Sequence, residues 1–277
     1  MSIDSHQHFW NYSSTEYPWI TDKLAILKRD YLPDDLAPEL AKVGLAGSVA
    51  VQARQNLSEN DLLLRLADTN PSVKGVVGWV DLQNDRVEEQ LAPLARHPRF
   101  VGVRHVVQDE PDEKFVLRPA FIRGISKLKQ FSLTYDLLVF PNQLPASIKL
   151  VQKFPEQPFV LDHIAKPFIR DQKFSPWKED ITELAKSPNV LCKVSGMVTE
   201  ANWNTWKKED FKPYLDHIFE TFTPDRLMYG SDWPVCLLSG TYQQVFDLVR
   251  DYIRQFPAEI QEKVLGQNAT RFYSLAQ

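Results

Sequence analysis

Eight apolar, strand-like runs, each followed by a segment of helical period, succeed one another along these 277 residues, and nothing else in the chain restricts its fold so strongly. The runs are "SVAVQ" (48–52), "VKGVVGWV" (73–80), "FVGVRH" (100–105), "LTYDLLVF" (133–140), "FVLDH" (159–163), "NVLCKVS" (189–195) and "RLMYGSD" (226–232), with the opening "SID" as a short first strand. Helical spacing falls at 34–44, 58–70, 86–97, 121–130, 146–154, 177–187, 212–222 and 241–256. Strand and helix in strict alternation predict an α/β fold, a (β/α)8 TIM barrel in one domain over 1–277; a doubly wound sheet is the alternative. Asp34 and Ser58 are expected to cap the helices that follow them, and "TP" at 223–224 breaks the chain before the last strand.

In a barrel of this kind the side chains at the C-terminal ends of the strands surround one mouth, where chemistry is done. The residues at or just past each strand end are His6 and His8, Gln52 and Arg54, Trp79 and Asp81, Arg104 and His105, then His163, Lys193 and Ser195, and Asp232 with Trp233. Four of the six histidines fall in that set, while His97 and His217 lie in helical segments and read as ordinary surface or packing residues. Alternate residues of a strand point the same way, so His6 and His8 face the mouth together and Gln7 faces away. That is a metal-ligand spacing: His6, His8 and Asp232 supply two imidazoles and a carboxylate, with room for water. A histidine pair alone is weak evidence, but three histidines and an aspartate on one rim are poorly explained by packing.

Composition removes several alternatives. A net charge of −4, with no basic run, argues against a nucleic-acid partner. Two cysteines, Cys192 and Cys236, have no metal or disulfide spacing and suit a reducing, cytoplasmic setting. No apolar run reaches membrane-spanning length, and the first thirty residues read as mature protein rather than a leader.

"DSHQH" (4–8), "VLDHIAKP" (160–167), "YGSDWP" (229–234) and "GQNATRFY" (266–273) together resemble the amidohydrolase superfamily. "KRDYLPDDLAPEL" (28–40), "FVGVRHVVQDEPD" (100–112) and "LCKVSGMVTEA" (191–201) are similar to its sugar-lactonase branch, which includes L-fuconolactonases and L-rhamnonolactonases. The resemblance runs nearly end to end and implies that His6, His8, His163 and Asp232 form the catalytic site, with Asp232 accepting the proton of the attacking water. A carboxylate beside imidazoles or a cation stays ionised at neutral pH, as a base must. The chain departs from the pattern at its fifth strand, which carries no histidine where many metal-dependent members have one. A divalent metal, zinc by its donor set, is therefore admissible without being required, and His6, His8 and Asp232 would be its ligands.

Arg104, His105, Trp79, Gln52, Lys193 and Trp233 are the expected substrate contacts. Each also has a plain structural reading. Arg104 could pair locally with Asp109 or Glu110, the tryptophans (Trp10 included) could fill the rim, and Lys193 could pair with an acid. Few arginines stand near strand ends, so a neutral polyhydroxylated lactone fits better than a carboxylate-bearing substrate. The expected activity is hydrolysis of an aldonolactone in carbohydrate catabolism; the alternatives are a metal-dependent decarboxylase of an aromatic or dienoic acid, and a catalytically silent binding barrel.

Overall fold

The computed structural model describes residues 1–276. Eight parallel strands follow chain order: β1 (Ile3–Gln7), β2 (Gly47–Val51), β3 (Val73–Gly78), β4 (Phe100–Val106), β5 (Thr134–Leu138), β6 (Phe159–Leu161), β7 (Val190–Val194) and β8 (Leu227–Tyr229). Helices α1 (Pro33–Val43), α2 (Leu57–Thr69), α3 (Val87–Leu94), α4 (Pro119–Leu128), α5 (Leu144–Lys153), α6 (Trp177–Leu184), α7 (Lys208–Phe222) and α8 (Tyr242–Ile253) follow the strands in turn. Two short helices, α9 (Ala258–Glu262) and α10 (Asn268–Phe272), end the chain. This is the expected (β/α)8 barrel, and His163 does follow the sixth strand.

The barrel closes between the segment after β8 and the end of β1. His8 N donates to Trp233 O at 2.7 Å and Asp232 N donates to His6 O at 2.8 Å. β8 can come this close because residue 230 is glycine: a Cβ there would lie 2.7 Å from the Cβ of His6. Buried Asp4 ties the same seam, its Oδ1 accepting from His6 N (3.1 Å) and Ser231 N (2.9 Å) and its Oδ2 from Tyr242 OH (2.8 Å).

Inside the barrel two layers differ in kind. Ile3, Val49, Val51, Val77, Val160 and Met228 form an apolar floor with Ala269, Tyr273 and Leu275 of the C-terminal segment. Above it lie His6, Arg104, Asp136, Asp162 and Lys193, all buried. Ile3 and His6 both face inward although three residues apart, which a regular strand forbids; the pairing of β1 with β2 shifts register between Asp4 and Gln7, and that bulge turns His6 and His8 to the interior.

The expected caps lie elsewhere. Asn56, not Ser58, caps α2, its side chain accepting from Ser58 N at 3.0 Å, and Asp35 rather than Asp34 accepts from Leu32 N at 3.0 Å. Ser58 and Asp34 are each the second residue of their helix, whereas the acceptors in use stand just before the helix (Asn56) and at its third residue (Asp35). Among the described residues no helix is long and apolar enough to cross a membrane.

Candidate active site

β1 delivers His6 and His8, the turn after β8 delivers Asp232, and the turn after β6 delivers His163. One carboxylate oxygen, Asp232 Oδ1, lies 3.2 Å from His8 Nε2, 3.8 Å from His6 Nε2 and 3.8 Å from His163 Nε2. The backbone supports this in an unusual way. His163, Ile164, Ala165 and Lys166 all have positive φ, at 54°, 48°, 61° and 48°, a left-handed turn that costs L-residues about 1–2 kcal/mol each. Surrounding bonds hold it: Trp177 Nε1 donates to Ile164 O at 2.7 Å, Lys166 N donates to His163 O at 2.8 Å, and His163 Nδ1 lies 2.8 Å from Ser195 Oγ. Gly196, at φ +59°, leaves room for the imidazole, since a Cβ there would approach His163 Nδ1 to 2.5 Å.

Burial pushes His163 down to about 4, with Asp232 and Asp162 opposing. Burial, then the Lys193 charge, likewise holds His6 well below the usual imidazole value. Burial alone would raise the Asp232 carboxyl; His163, His8 and His6 outweigh it and hold the group below the ordinary carboxylate range. Asp232 is thus ionised at neutral pH. A carboxylate held so low is a modest base by itself, and the imidazole nitrogens ringing Oδ1 give an abstracted proton somewhere to go.

Directly beneath lies a buried network that holds His6. Lys193 Nζ is 2.5 Å from Asp136 Oδ2, 3.0 Å from Asp162 Oδ1 and 3.1 Å from His6 Nδ1. Arg104 Nη1 is 3.0 Å from Asp162 Oδ2 and 3.2 Å from His6 Nε2, and its Nε and Nη2 donate to Gln52 Oε1 at 3.0 and 2.8 Å. Tyr273 OH reaches up from the floor to Asp136 Oδ2 at 2.8 Å. A neutral His6 has one ring hydrogen. Assigned to Nδ1, it faces Asp162 Oδ1 at 3.3 Å and leaves Nε2 to accept from Arg104.

Above the imidazoles opens a cavity of about 710 Å³, a size suited to a small molecule. Of the predicted residues, His8, His163, Asp232 and Arg104 line it. His6 sits just below, fully buried. The remaining expected contacts do not form its wall. Lys193 is held down by two carboxylates, and Gln52 is spent on Arg104. His105 pairs with Glu110 at 2.7 Å and stacks on Phe115, while Trp79 Nε1 donates to His105 Nδ1 at 3.4 Å. Trp233 packs edge-on against Tyr31 and Phe9, and Trp10 is buried among Tyr17, Trp19 and Tyr31. The aromatic wall is instead Trp19 and Trp203, with Arg54, Lys166 and Glu200 as further polar lining. Trp19 and Trp203 stand in loops far from any strand end, so strand-end reading passes over them; Asp162, directly before His163, is the one acid whose position in "VLDH" offered a signal.

The donor set fits a zinc-type ion. Nitrogens of His6 and His8 and an oxygen of Asp232 lie within 4.8 Å of one another, as do ligand atoms of His6, Asp162 and His163. His8 Nδ1 is 2.8 Å from Val51 O, which can only accept, so the ring hydrogen is there and the Nε2 lone pair faces Asp232 Oδ1. Two lone pairs at 3.2 Å attract only with positive charge between them, a proton or a metal ion. Against this, the Arg104 guanidinium already occupies the Nε2 side of His6.

The family model described as "Amidohydrolase" matches residues 3–275. The L-fucono-1,5-lactonase of Burkholderia multivorans is 39% identical over 99% of this chain and 96% of its own length. That of Burkholderia ambifaria is 35% identical over 99% of this chain and 95% of its own length. A crystal structure of an amidohydrolase from Burkholderia multivorans with bound zinc superposes with a TM-score of 0.96 at 39% identity, covering all of both chains (100% each).

Proposed function

The chain belongs to the amidohydrolase family, and from that premise we propose that it is a hydrolase opening a neutral sugar lactone, an aldonolactone such as L-fucono- or L-rhamnonolactone. The observation that carries this reading is the ionised Asp232, ringed by three imidazole nitrogens at the base of a cavity whose lysine and arginines are paired with acids. The lactonases of similar sequence support it. In the wall Arg54 meets Glu16, Lys166 lies 3.5 Å from Glu200, and Arg104 is 3.0 Å from Asp162. No guanidinium is left over to clamp a carboxylate, which favours a neutral polyol over an acid and speaks against decarboxylation.

In the reaction proposed, Asp232 takes a proton from water as the water oxygen attacks the lactone carbonyl carbon. The carbonyl oxygen becomes an oxyanion, and the charge of the Arg104 guanidinium at the cavity base stabilises it. The ring C–O bond then breaks and the ring oxygen takes the proton, leaving an open hydroxy acid. His8, oriented by Val51 O, and His163, oriented by Ser195, hold Asp232 and the water in line. A zinc-type ion held by His6, His8 and Asp232 would, when bound, polarise the carbonyl as a Lewis acid. The buried free thiols Cys192 and Cys236 support a cytoplasmic setting for this activity.

The test is a panel of aldonolactones followed by proton release, with a dihydroxybenzoate-type acid as control. At least one neutral lactone should be opened faster than the acid loses carbon dioxide; carbon dioxide release with every lactone untouched ends the proposal. Asp232→Asn should fold normally and lose about 10²- to 10⁴-fold in turnover. If Asp232→Asn keeps most of its rate and His163→Asn loses it, the base has been assigned to the wrong residue.

A further inference from the structure

Lys166 and Glu200 face each other across the cavity wall, from the turn after β6 and the turn after β7, and the chemistry above uses neither. Their charged atoms are 3.5 Å apart and their side chains 16% and 21% exposed. The pair is long and faces the cavity rather than the packed interior. The fold does not need it either. The turn that carries Lys166 is closed by Trp177, Ser195 and its own backbone, and the two loops are joined by Arg170 N donating to Glu200 O at 2.9 Å.

The pair stands beside the reacting centre. Lys166 belongs to the same left-handed turn as His163, and the Lys166 charge helps hold His163 neutral. Glu200 is raised by burial, with the charge of Asp232 adding to that. Both side chains line the cavity that His163 and Asp232 also line. An ammonium offers only donors and a carboxylate only acceptors, set here at a spacing near that of neighbouring hydroxyl oxygens on a sugar ring. One hydroxyl can accept from Lys166 while its neighbour donates to Glu200, and each such charge-assisted bond is stronger than one between neutral groups.

Resting on the lactonase reading, we propose that the Lys166–Glu200 pair is the specificity-determining element that reads two neighbouring hydroxyl groups of the lactone ring. It selects polyhydroxylated lactones over deoxygenated ones and takes no part in the proton transfers at Asp232.

The experiment compares kcat/KM for a good aldonolactone and for analogues each lacking one hydroxyl, in the wild-type protein and in Lys166→Met and Glu200→Gln. The wild type should prefer the parent over at least one analogue by about 10- to 100-fold, the loss expected when a hydrogen bond to a charged group goes unmade. Lys166→Met should shrink that preference to within about threefold for the analogue lacking one of the two hydroxyls, and Glu200→Gln for the analogue lacking its neighbour. The double variant should lose no more discrimination than the worse single one, because both act on one pair of hydroxyls. If the preference survives in both single variants, or the wild type shows none, the proposal is overturned. A fall in rate by the same factor for parent and analogues also overturns it, since that marks a role in the chemistry or the fold. Failure of the lactonase reading looks different: the wild type then opens no aldonolactone at all. Glu200→Gln keeps the shape of the side chain, and thermal melting of each variant confirms the fold.

Discussion

The mouth of the barrel and the polar layer beneath it are built from the same residue types, yet water treats them differently. At the mouth Arg54, Lys166 and Glu200 face a cavity and their pairs are loose or partly exposed. One layer down, Lys193, Asp136 and Asp162 have no exposed side-chain surface and lie within 3.0 Å of one another across the pairs they form. Charge that can be rehydrated is free to meet a ligand, whereas charge that cannot must be matched inside the protein. The upper layer is therefore free to meet a ligand, and the lower layer fixes where His6 and Asp162 stand.

The sharpest way to break this contrast is Lys193→Met, which preserves length and removes the cation. Asp136 and Asp162 then face each other with one matching charge fewer. Already in the intact protein Asp136 is raised to about 6 by burial and by Asp162, with Lys193 opposing. Breaking a buried pair from one side leaves an uncompensated charge, so chemical denaturation should show a loss of about 3–5 kcal/mol. Adding Asp136→Asn should recover part of it. A loss under about 1 kcal/mol would mean that the lower layer is as tolerant as the rim.

This contrast also explains which parts of the molecule could be read in the sequence. The strands were legible because buried parallel strands are near-continuous apolar runs, and the seam between β1 and the turn after β8 followed from barrel closure. That placed His6, His8 and Asp232 together, as found. Lys193, expected as a substrate contact with an acid pair as its plain alternative, lies one layer below the cavity and takes the acid pair. Its level is set by Asp136 and Asp162, 57 and 31 residues away on β5 and just past β6, and a single strand says nothing about what its neighbours carry at the same height. The wall residues Trp19 and Trp203 come from loops, whose course no periodicity encodes.

Glu59 gives an intermediate case and a pH test. It has no exposed side-chain surface, yet its partners are mostly uncharged: backbone N–H of Ala53 at 3.1 Å and of Arg54 at 3.0 Å, with Tyr17 OH at 3.4 Å and Arg54 Nε at 4.0 Å. Burial raises it to about 7, the backbone donors and Arg54 opposing. The folded protein thus holds this proton more tightly than the unfolded chain, whose glutamate titrates near 4.5. The stability it contributes is complete below that value and is lost as pH rises through about 7, a change on the order of 3 kcal/mol. Denaturation of the wild type and of Glu59→Gln at pH 4.5 and pH 8 should show the gap between them shifting in favour of the variant by that order at the higher pH. A constant gap would place Glu59 with the fully matched charges below.

The smallest expected effect concerns metal, and it probes the boundary between the layers, since His6 belongs to the lower layer and His8 and Asp232 to the upper. An ion on those three residues must share His6 Nε2 with the Arg104 guanidinium, which stands 3.2 Å away and is itself anchored by Asp162 and Gln52. Displacing an anchored cation to seat another offsets much of what the ion gains by coordination. The Arg104 charge, at the base of the cavity, already favours the negative charge the carbonyl oxygen would develop. Exhaustive chelation, with metal content measured on the same sample, should therefore lower lactone turnover less than tenfold. In Arg104→Met the ion should bind more tightly, as read by direct zinc titration, because its competitor for His6 is gone. Inactive chelated wild type restored by one equivalent of zinc, together with unchanged zinc affinity in Arg104→Met, would show that the guanidinium is no rival to the metal and that the two layers meet at the ion rather than at Arg104.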